Sequence, residues 1–144
     1  MKYLLDTCVI SELVSKRPNL NIITWLDALD PVDVCLSVIT IGEIIKGIEK
    51  LPDSQKKDEL RDWLRNDLLV RFQDKIIPLD SNVLVEWGVL AARLEKAGTP
   101  MPAMDALIAA TVINYHMILV TRNVEDFKTV GIEIVNPWIR DASG

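Results

Sequence analysis

Several residue types that build common catalytic sites are scarce in this chain of 144 residues. It has one histidine, His116, and two cysteines, Cys8 and Cys35, neither of which belongs to a CxxC pair. Zinc sites and histidine-dependent nucleophilic triads need more of these residues, so we interpret His116 as structural and both cysteines as reduced core residues. A glycine-rich phosphate loop is also missing. These shortages exclude several large enzyme classes.

Long hydrophobic runs are absent as well. No uninterrupted apolar stretch approaches the roughly 18 residues that a membrane span needs. Met1 and Lys2 lead directly into a predicted strand, without the charged and apolar regions of a signal peptide. We therefore expect a cytoplasmic protein with no membrane segment.

Basic residues are outnumbered, since 16 lysines and arginines stand against 21 acids and give a formal net charge of −5. A negative total is unusual for a protein that binds phosphate backbones. If several acids share one divalent cation, however, the rest of the surface is close to neutral and permits a local basic rim. The total charge therefore neither requires nor excludes a nucleic acid partner.

Apolar residues are abundant at 49% of the chain, which predicts one well-filled domain over residues 1–144. Short β-type segments alternate with helical ones, a pattern typical of a parallel sheet covered by helices on both faces. The five predicted strands are 3–5, 34–37, 76–78, 118–121 and 132–135. The main predicted helices are 20–29, 37–51, 54–72, 81–97 and a segment from 102 to about 115.

Asp6 ends the first predicted strand, within the segment YLLDTCVISEL. Val9, Ile10 and Leu13 follow at helical spacing, so the chain turns from strand to helix near Asp6 and Thr7. In open parallel α/β sheets, ligands bind at the carboxyl ends of the strands. Asp6 is therefore the first candidate site residue.

Three further acids, Glu43, Asp105 and Asp126, stand at similar strand-to-helix transitions. Each has a structural alternative. Thr40 and Glu43 match a capping box. Asp105 and Asp126 fall in the first turns of predicted helices, where an acid interacts favourably with the helix dipole.

Together these four acids predict a metal site, because the carboxyl ends of parallel strands converge. Carboxylates without a basic partner repel each other unless a cation holds them, and hard oxygen ligands favour Mg²⁺ or Mn²⁺. An ion bound by Asp6 and Asp105 would activate a water for attack on a phosphodiester. Glu43 and Asp126 could hold a second ion or orient that water.

Polar and basic residues near the acids are candidates for supporting roles. Candidates for hydrogen bonds to a phosphate or a metal-bound water are Thr7 and Thr121, with helix capping as the alternative. Candidates for contacts with the phosphates of a nucleic acid are Lys46, Lys50, Arg93 and Arg122. Lys46 and Lys50 follow Glu43 on one helix face at i+3 and i+7, so pairing with Glu43 and Glu49 is the alternative for them.

The segments LLDTCVISEL, IGEIIKGIEK, MDALIAATVI and LVTRNVEDF, followed by GIEIVNPW, resemble the PIN-domain family, in particular VapC-like toxin ribonucleases. The resemblance covers nearly the whole chain, and the motifs occur in the family's order and spacing. It implies a three-layer α/β/α sandwich and a Mg²⁺- or Mn²⁺-dependent endoribonuclease whose metal-site acids match Asp6, Glu43 and Asp105. It also implies a homodimer and a small antitoxin whose tail fills the acidic groove.

Two positions depart from the usual family pattern. The fourth acid of many members stands where this chain has Asn123, whereas other members resemble the RNxxDF form, with Asp126 as the acid. Cys8 replaces an asparagine that supports the site in the family. A PIN-fold module that binds RNA or a protein partner without cutting is therefore the alternative function. A receiver-type phosphotransfer domain is disfavoured, because Asp6 has no acidic neighbour in its turn.

Overall fold

The computed structural model describes residues 1–139. It contains a sheet of five parallel strands in the order β3-β2-β1-β4-β5. The strands are β1 (Tyr3–Leu5), β2 (Val34–Ser37), β3 (Ile76–Ile77), β4 (Ile118–Val120) and β5 (Ile134–Val135). All five occur where the sequence predicts them, although β3, β4 and β5 are shorter than their predicted ranges.

The helices of the described residues are α1 (Thr7–Leu13), α2 (Leu20–Asp27), α3 (Val38–Glu49), α4 (Gln55–Trp63), α5 (Leu69–Arg71), α6 (Ser81–Lys96), α7 (Ala103–Tyr115) and α8 (Val124–Phe127). A π-helical turn, Leu64–Leu68, joins α4 to α5, so the single helix predicted over 54–72 is interrupted. Gly98, with a φ of 75°, follows α6 and ends it as predicted. Within residues 1–139, no helix has the length and apolar character needed to cross a membrane.

The side chains of each strand point alternately to the two faces of the sheet, so each face has its own part of the core. Leu4 of β1 is buried with α6 and α7 residues such as Leu90 and Ile108. Leu5, the next residue, is buried with Ile10 of α1 and Ile44 of α3 on the other face. Successive strand side chains point to opposite faces, so a central strand needs apolar residues at both positions. The three-layer α/β/α sandwich is confirmed.

β1 is the central strand of the sheet. From β1 the chain adds β2 and β3 on one side and then returns to add β4 and β5 on the other. The order therefore reverses next to β1, and such a switch point opens a crevice at the carboxyl ends of the strands. Asp6 follows β1 and Thr121 follows β4 at this edge.

A buried lysine fixes the connection between α3 and α4. The Lys57 residue is only 7% exposed, and its ammonium group donates to the carbonyl oxygens of Glu49 and Leu51 at 3.2 and 3.1 Å. It also contacts the exposed carboxylate of Asp53 at 3.2 Å. Because the last carbonyls of a helix have no partner within the helix, the ammonium satisfies the Glu49 carbonyl at the end of α3 and also binds the Leu51 carbonyl in the turn that follows.

We predict that Lys57→Met destabilises the protein by about 1–3 kcal/mol, because the methionine cannot donate to the carbonyls that Lys57 satisfies. Lys56→Met is the matched control, since Lys56 is exposed on the same helix turn. Urea unfolding midpoints measure both effects. Equal midpoints for the two variants would show that Lys57 contributes only its apolar stem.

Candidate active site

Asp6 is held in one orientation at the end of β1. Its backbone N–H donates to the carbonyl oxygen of Val120 at 2.9 Å, which extends the pairing of β1 with β4 by one residue. Its Oδ1 accepts from the Thr7 N–H at 2.8 Å, and its Oδ2 accepts from the Thr121 hydroxyl at 2.9 Å. Asp6 is 7% exposed and is the N-cap residue of α1. It therefore serves as a helix cap and stands at the switch point as well.

Thr121 is the fully buried partner of this carboxylate. Its hydroxyl donates to Asp6 and accepts from the backbone N–H of Asn123 at 3.0 Å. The sulfur of Cys8 lies 3.5 Å from the same hydroxyl and 3.9 Å from Asp6 Oδ2. The hydroxyl proton of Thr121 is thus directed at an acid, and Cys8 fills the space beside both groups.

Glu43 reaches the site from α3. Its Oε1 accepts a hydrogen bond of 2.7 Å from the Thr7 hydroxyl, which links α3 to α1. The capping-box alternative for Thr40 and Glu43 is wrong, because Ser37 is the N-cap of α3 and accepts from the Ile39 N–H at 3.0 Å. Ser37 ends β2 in an extended conformation, so the helix begins earlier than Thr40 and leaves Glu43 inside it.

Asp105 and Asp126 complete the group from the other side of β1. Asp105 lies half-buried in the first turn of α7, which follows Pro102. Asp126 lies exposed in the first turn of α8, where its backbone N–H donates to the Asn123 carbonyl at 3.1 Å. Both acids therefore lie where a carboxylate interacts favourably with a helix dipole. They also lie at the edge of the sheet that carries Asp6, which we call the acidic edge.

Burial and neighbouring charges act on the two more buried carboxylates, Asp6 and Asp105. Burial raises the pKa of Asp6 above its ordinary value, the hydrogen bonds that it accepts oppose this rise, and repulsion from Glu43 and Asp126 adds to it. Burial also raises the pKa of Asp105, and the charges of Asp6, Asp126 and Glu43 raise it further. Each of these charges therefore acts on the same small region, where a proton or a cation would relieve the repulsion.

The donor set of this region fits a hard divalent cation in its chemistry, because every candidate ligand is a carboxylate oxygen. Within residues 1–139, none of the four acids forms an ion pair with a lysine or arginine. In the described part of the chain, no three acidic, histidine or cysteine side chains are already assembled to hold a metal ion. Glu43 and Asp126 are exposed, so packing does not fix their rotamers.

Two of the four basic candidates lie at the end of α3, with Lys46 in its last turn and Lys50 as its C-cap residue. Lys46 and Lys50 are exposed, and neither lies within ion-pair distance of an acid among residues 1–139. The alternative of pairing with Glu49 is wrong, because both oxygens of that carboxylate accept from Arg61 at 2.7 Å. The two lysines are therefore free of that partner.

The two arginines differ in what they contact. Arg93 of α6 donates to the Val130 carbonyl oxygen at 3.4 Å, so one of its donors is in use. The guanidinium carbon of Arg122 lies 5.0 Å from the centre of the Trp138 ring. The sequence pattern does not predict this contact. The only available signal is that each residue closely follows a neighbouring strand.

Two grooves border the acids. One, of about 180 Å³, is mainly apolar and reaches Thr7 and Glu43 from a lining that includes Leu60 and Trp63. The other, of about 310 Å³, is lined by Asp105 and Asp126 together with residues 99–102 and others. The acidic edge is therefore open from both sides.

Comparisons with known proteins agree with this geometry. Residues 3–133 match the PIN domain family. Toxin FitB of Neisseria gonorrhoeae is 34% identical over 94% of this chain and 97% of its own length. The VapC ribonuclease Y4jK of Sinorhizobium fredii is 29% identical over 93% of this chain and 96% of its own.

A solved structure of FitAB bound to an IR36 DNA fragment is also similar, with a TM-score of 0.91, 32% identity and 99% of both chains covered. The family match spans almost the whole described chain, and the relatives cover it nearly from end to end. This chain therefore belongs to the PIN-domain family, where its relatives include a toxin and a VapC ribonuclease.

Proposed function

We propose that this protein is a Mg²⁺- or Mn²⁺-dependent endoribonuclease that hydrolyses RNA phosphodiesters, and that it is the toxin of a toxin–antitoxin pair. The observation that supports the proposal is that Asp6 lies at the switch point of a parallel sheet, and that the charges of Glu43 and Asp126 act on both Asp6 and Asp105. Within residues 1–139 these acids have no cationic side chain as a partner. The name of the VapC ribonuclease relative supports the same reaction class.

Asp6 and Asp105 are the proposed principal metal ligands, because they are the two more buried acids of the group. Glu43 and Asp126 are exposed and can turn toward the same point to hold a second ion or to orient the attacking water. When bound, the metal supplies an activated water and neutralises charge that develops on the phosphate. Asn123 remains the alternative to Asp126 as the fourth site residue.

The hydrogen bonds of the site prepare the acids for this role. Thr121 and the Thr7 N–H each occupy one oxygen of Asp6, so its carboxylate plane is fixed before any ligand arrives. The Thr7 hydroxyl also donates to Glu43, which orients one oxygen of that carboxylate and leaves the exposed side chain able to turn. We propose that these threonines orient the acids, and that on substrate binding the Thr7 hydroxyl, which is less buried than Thr121, can turn to a phosphate or a bound water.

We propose RNA as the substrate and a small antitoxin as the protein partner, in a homodimer located in the cytoplasm. The similarity to a toxin solved as FitAB on DNA supports a partner chain. Lys46, Lys50, Arg93 and Arg122 are the proposed contacts to RNA phosphates, and the exposure of Lys46 and Lys50 suits this role.

We predict that purified protein cleaves RNA with Mg²⁺ or Mn²⁺ and loses this activity in EDTA. Asp6→Ala should lower the rate by at least about a hundredfold, because it removes a proposed metal ligand. Asp62→Ala is the control, since Asp62 is exposed on α4. Gel assays of labelled RNA measure all three proteins. Cleavage that persists in EDTA would contradict the proposal, and RNA binding without cleavage by wild type would favour a non-cleaving PIN module.

We further predict that Asp126→Ala reduces the cleavage rate more than Asn123→Ala. A carboxylate binds Mg²⁺ more strongly than an amide does, and the charge of Asp126 already acts on Asp6 and Asp105. Glu125→Ala is the control for the loss of a negative charge in α8. Glu125 is the neighbour of Asp126, but its carboxylate pairs with Lys128 at 2.6 Å. Rates at several Mg²⁺ concentrations decide the matter, and the reverse order would assign the fourth position to Asn123.

The raised pKa of Asp6 predicts a pH dependence of stability in metal-free protein. An acid whose pKa is raised on folding lowers the free energy of unfolding at neutral pH. Because the folded state binds more protons, this loss of stability shrinks as pH falls from neutral toward the unfolded pKa of about 4. Asp6→Asn removes this loss of stability, because it replaces the carboxylate by a neutral amide of the same shape. Its melting temperature in EDTA at pH 7 should therefore equal or exceed that of wild type, and the difference should narrow toward acid pH.

Thermal melts of both proteins from pH 7 to 4.5 measure this difference. In the variant Asp105 also loses the repulsion of Asp6 that raises its pKa, and this changes the difference in the same direction. Mg²⁺ should raise the wild-type melting temperature in a concentration-dependent way and affect Asp6→Asn less. If metal-free Asp6→Asn melts well below wild type at pH 7, Asp6 acts mainly as the cap of α1.

A further inference from the structure

We propose that Arg122, whose guanidinium lies over the indole ring of Trp138, is a binding site for an RNA backbone phosphate at the rim of the acidic site, and that Trp138 is its positioning residue. The inference rests on the proposed ribonuclease function, singles out Arg122 among the proposed phosphate contacts and adds the residue that positions it.

The sheet brings the two residues together at the edge that carries the acids. Val120 of β4 pairs with Val135 of β5, and the Thr121 N–H donates to the Val135 carbonyl at 3.0 Å. Arg122 and Trp138 therefore leave the carboxyl ends of adjacent parallel strands. Their side chains meet with the guanidinium carbon 5.0 Å from the ring centre, within the range of a cation–π contact.

The backbone on both sides of this contact is fixed by hydrogen bonds. The Thr121 hydroxyl accepts from the Asn123 N–H at 3.0 Å and so closes a turn around Arg122. The backbone N–H of Trp138 donates to Asn136 Oδ1 at 3.0 Å, and its backbone carbonyl accepts from the Asn21 side chain at 3.3 Å. The partly buried indole also packs against the core around β1. The ring is thus a firm support for the guanidinium.

Arg122 lies close to the acids without being neutralised by them. It directly follows Thr121, whose hydroxyl binds Asp6 at 2.9 Å. Its charge also reaches Cys8, where burial raises the thiol pKa and Arg122 opposes that rise. Yet Arg122 forms no ion pair with any acid in the part of the chain from 1 to 139. An RNA chain approaching the acidic edge would therefore meet an exposed cation beside it.

The chemistry of guanidinium suits this place. When its flat face lies on an aromatic ring, its N–H donors still point outward in the plane and can bind two phosphate oxygens at once. Stacking also restricts the side chain before binding, which lowers the entropy cost of the contact. Arg93, by contrast, donates to a backbone carbonyl, and no aromatic ring is seen to hold Lys46 or Lys50 among the described residues.

The test compares variants in steady-state cleavage and in binding of a fluorescein-labelled, mixed-sequence RNA oligonucleotide across a range of salt concentrations. Arg122→Ala should raise KM and Kd by about tenfold with little change in kcat, and should reduce the slope of log Kd against log salt by about one phosphate contact. Arg122→Lys should restore the slope but only part of the affinity, because an ammonium is not held flat.

Trp138→Leu and Trp138→Phe test the positioning role. The leucine variant retains the charge of Arg122 but loses the ring, so Kd should rise several-fold, whereas phenylalanine should restore most of the affinity. Arg71→Ala is the matched control, because Arg71 stacks on Phe72 at 5.5 Å and lies beside Val34, at the opposite edge of the sheet. Its binding should equal that of wild type. Thermal melts exclude unfolding as the cause of any loss.

Three results would overturn the inference: Arg122→Ala that binds like Arg71→Ala, a loss of affinity with an unchanged salt slope, or a folded Trp138→Phe that binds no better than Trp138→Leu. Either of the first two results would show that Arg122 does not bind a phosphate. The third would show that Trp138 does not position Arg122. If wild type neither binds nor cuts RNA, the proposed ribonuclease function fails as well. If wild type cuts and the Arg122 variants cut equally, only this inference fails.

Discussion

The candidate site depends on one buried interaction, the hydrogen bond of 2.9 Å between the Thr121 hydroxyl and the Asp6 carboxylate. It joins the ends of the two neighbouring strands at the switch point, and the same carboxylate caps α1 through the Thr7 N–H. Removing a carboxylate from water raises its pKa, and the hydrogen bonds that it accepts offset part of that cost. The strand ends, the first helix and the proposed chemistry therefore share a single side chain.

Much of the fold is predictable from the sequence because the core has a simple pattern. Apolar runs mark the five strands, and helical spacing with a glycine or proline at the ends marks most helices. The bounds fail where two local signals compete. Ser37 and Thr40 can both cap a helix, and the extended backbone that ends β2 selects Ser37. The π-helical turn at Leu64–Leu68 has no counterpart in a pattern based on ordinary helical spacing.

The candidate site is predictable only as a set of acids at transitions between strands and helices. The contacts that organise those acids join residues distant in sequence, such as Thr7 with Glu43 and Arg122 with Trp138. Local spacing carries no information about such pairs, because the strand register decides them. The same limit explains why the sequence leaves the capping alternative open for Glu43 and offers both Asn123 and Asp126 as the fourth residue of the proposed site.

The strand order also determines when this site can exist during synthesis. Asp6 leaves the ribosome among the first residues, but its hydroxyl partner lies 115 positions later, and β1 gains its β4 neighbour only after α7 has been made. A nascent chain would therefore carry Asp6 and Glu43 long before Asp105 and Thr121 could join them. Contacts of such long range also form slowly. For an enzyme proposed to cut RNA, this order delays assembly of the acidic site until most of the polypeptide has been translated.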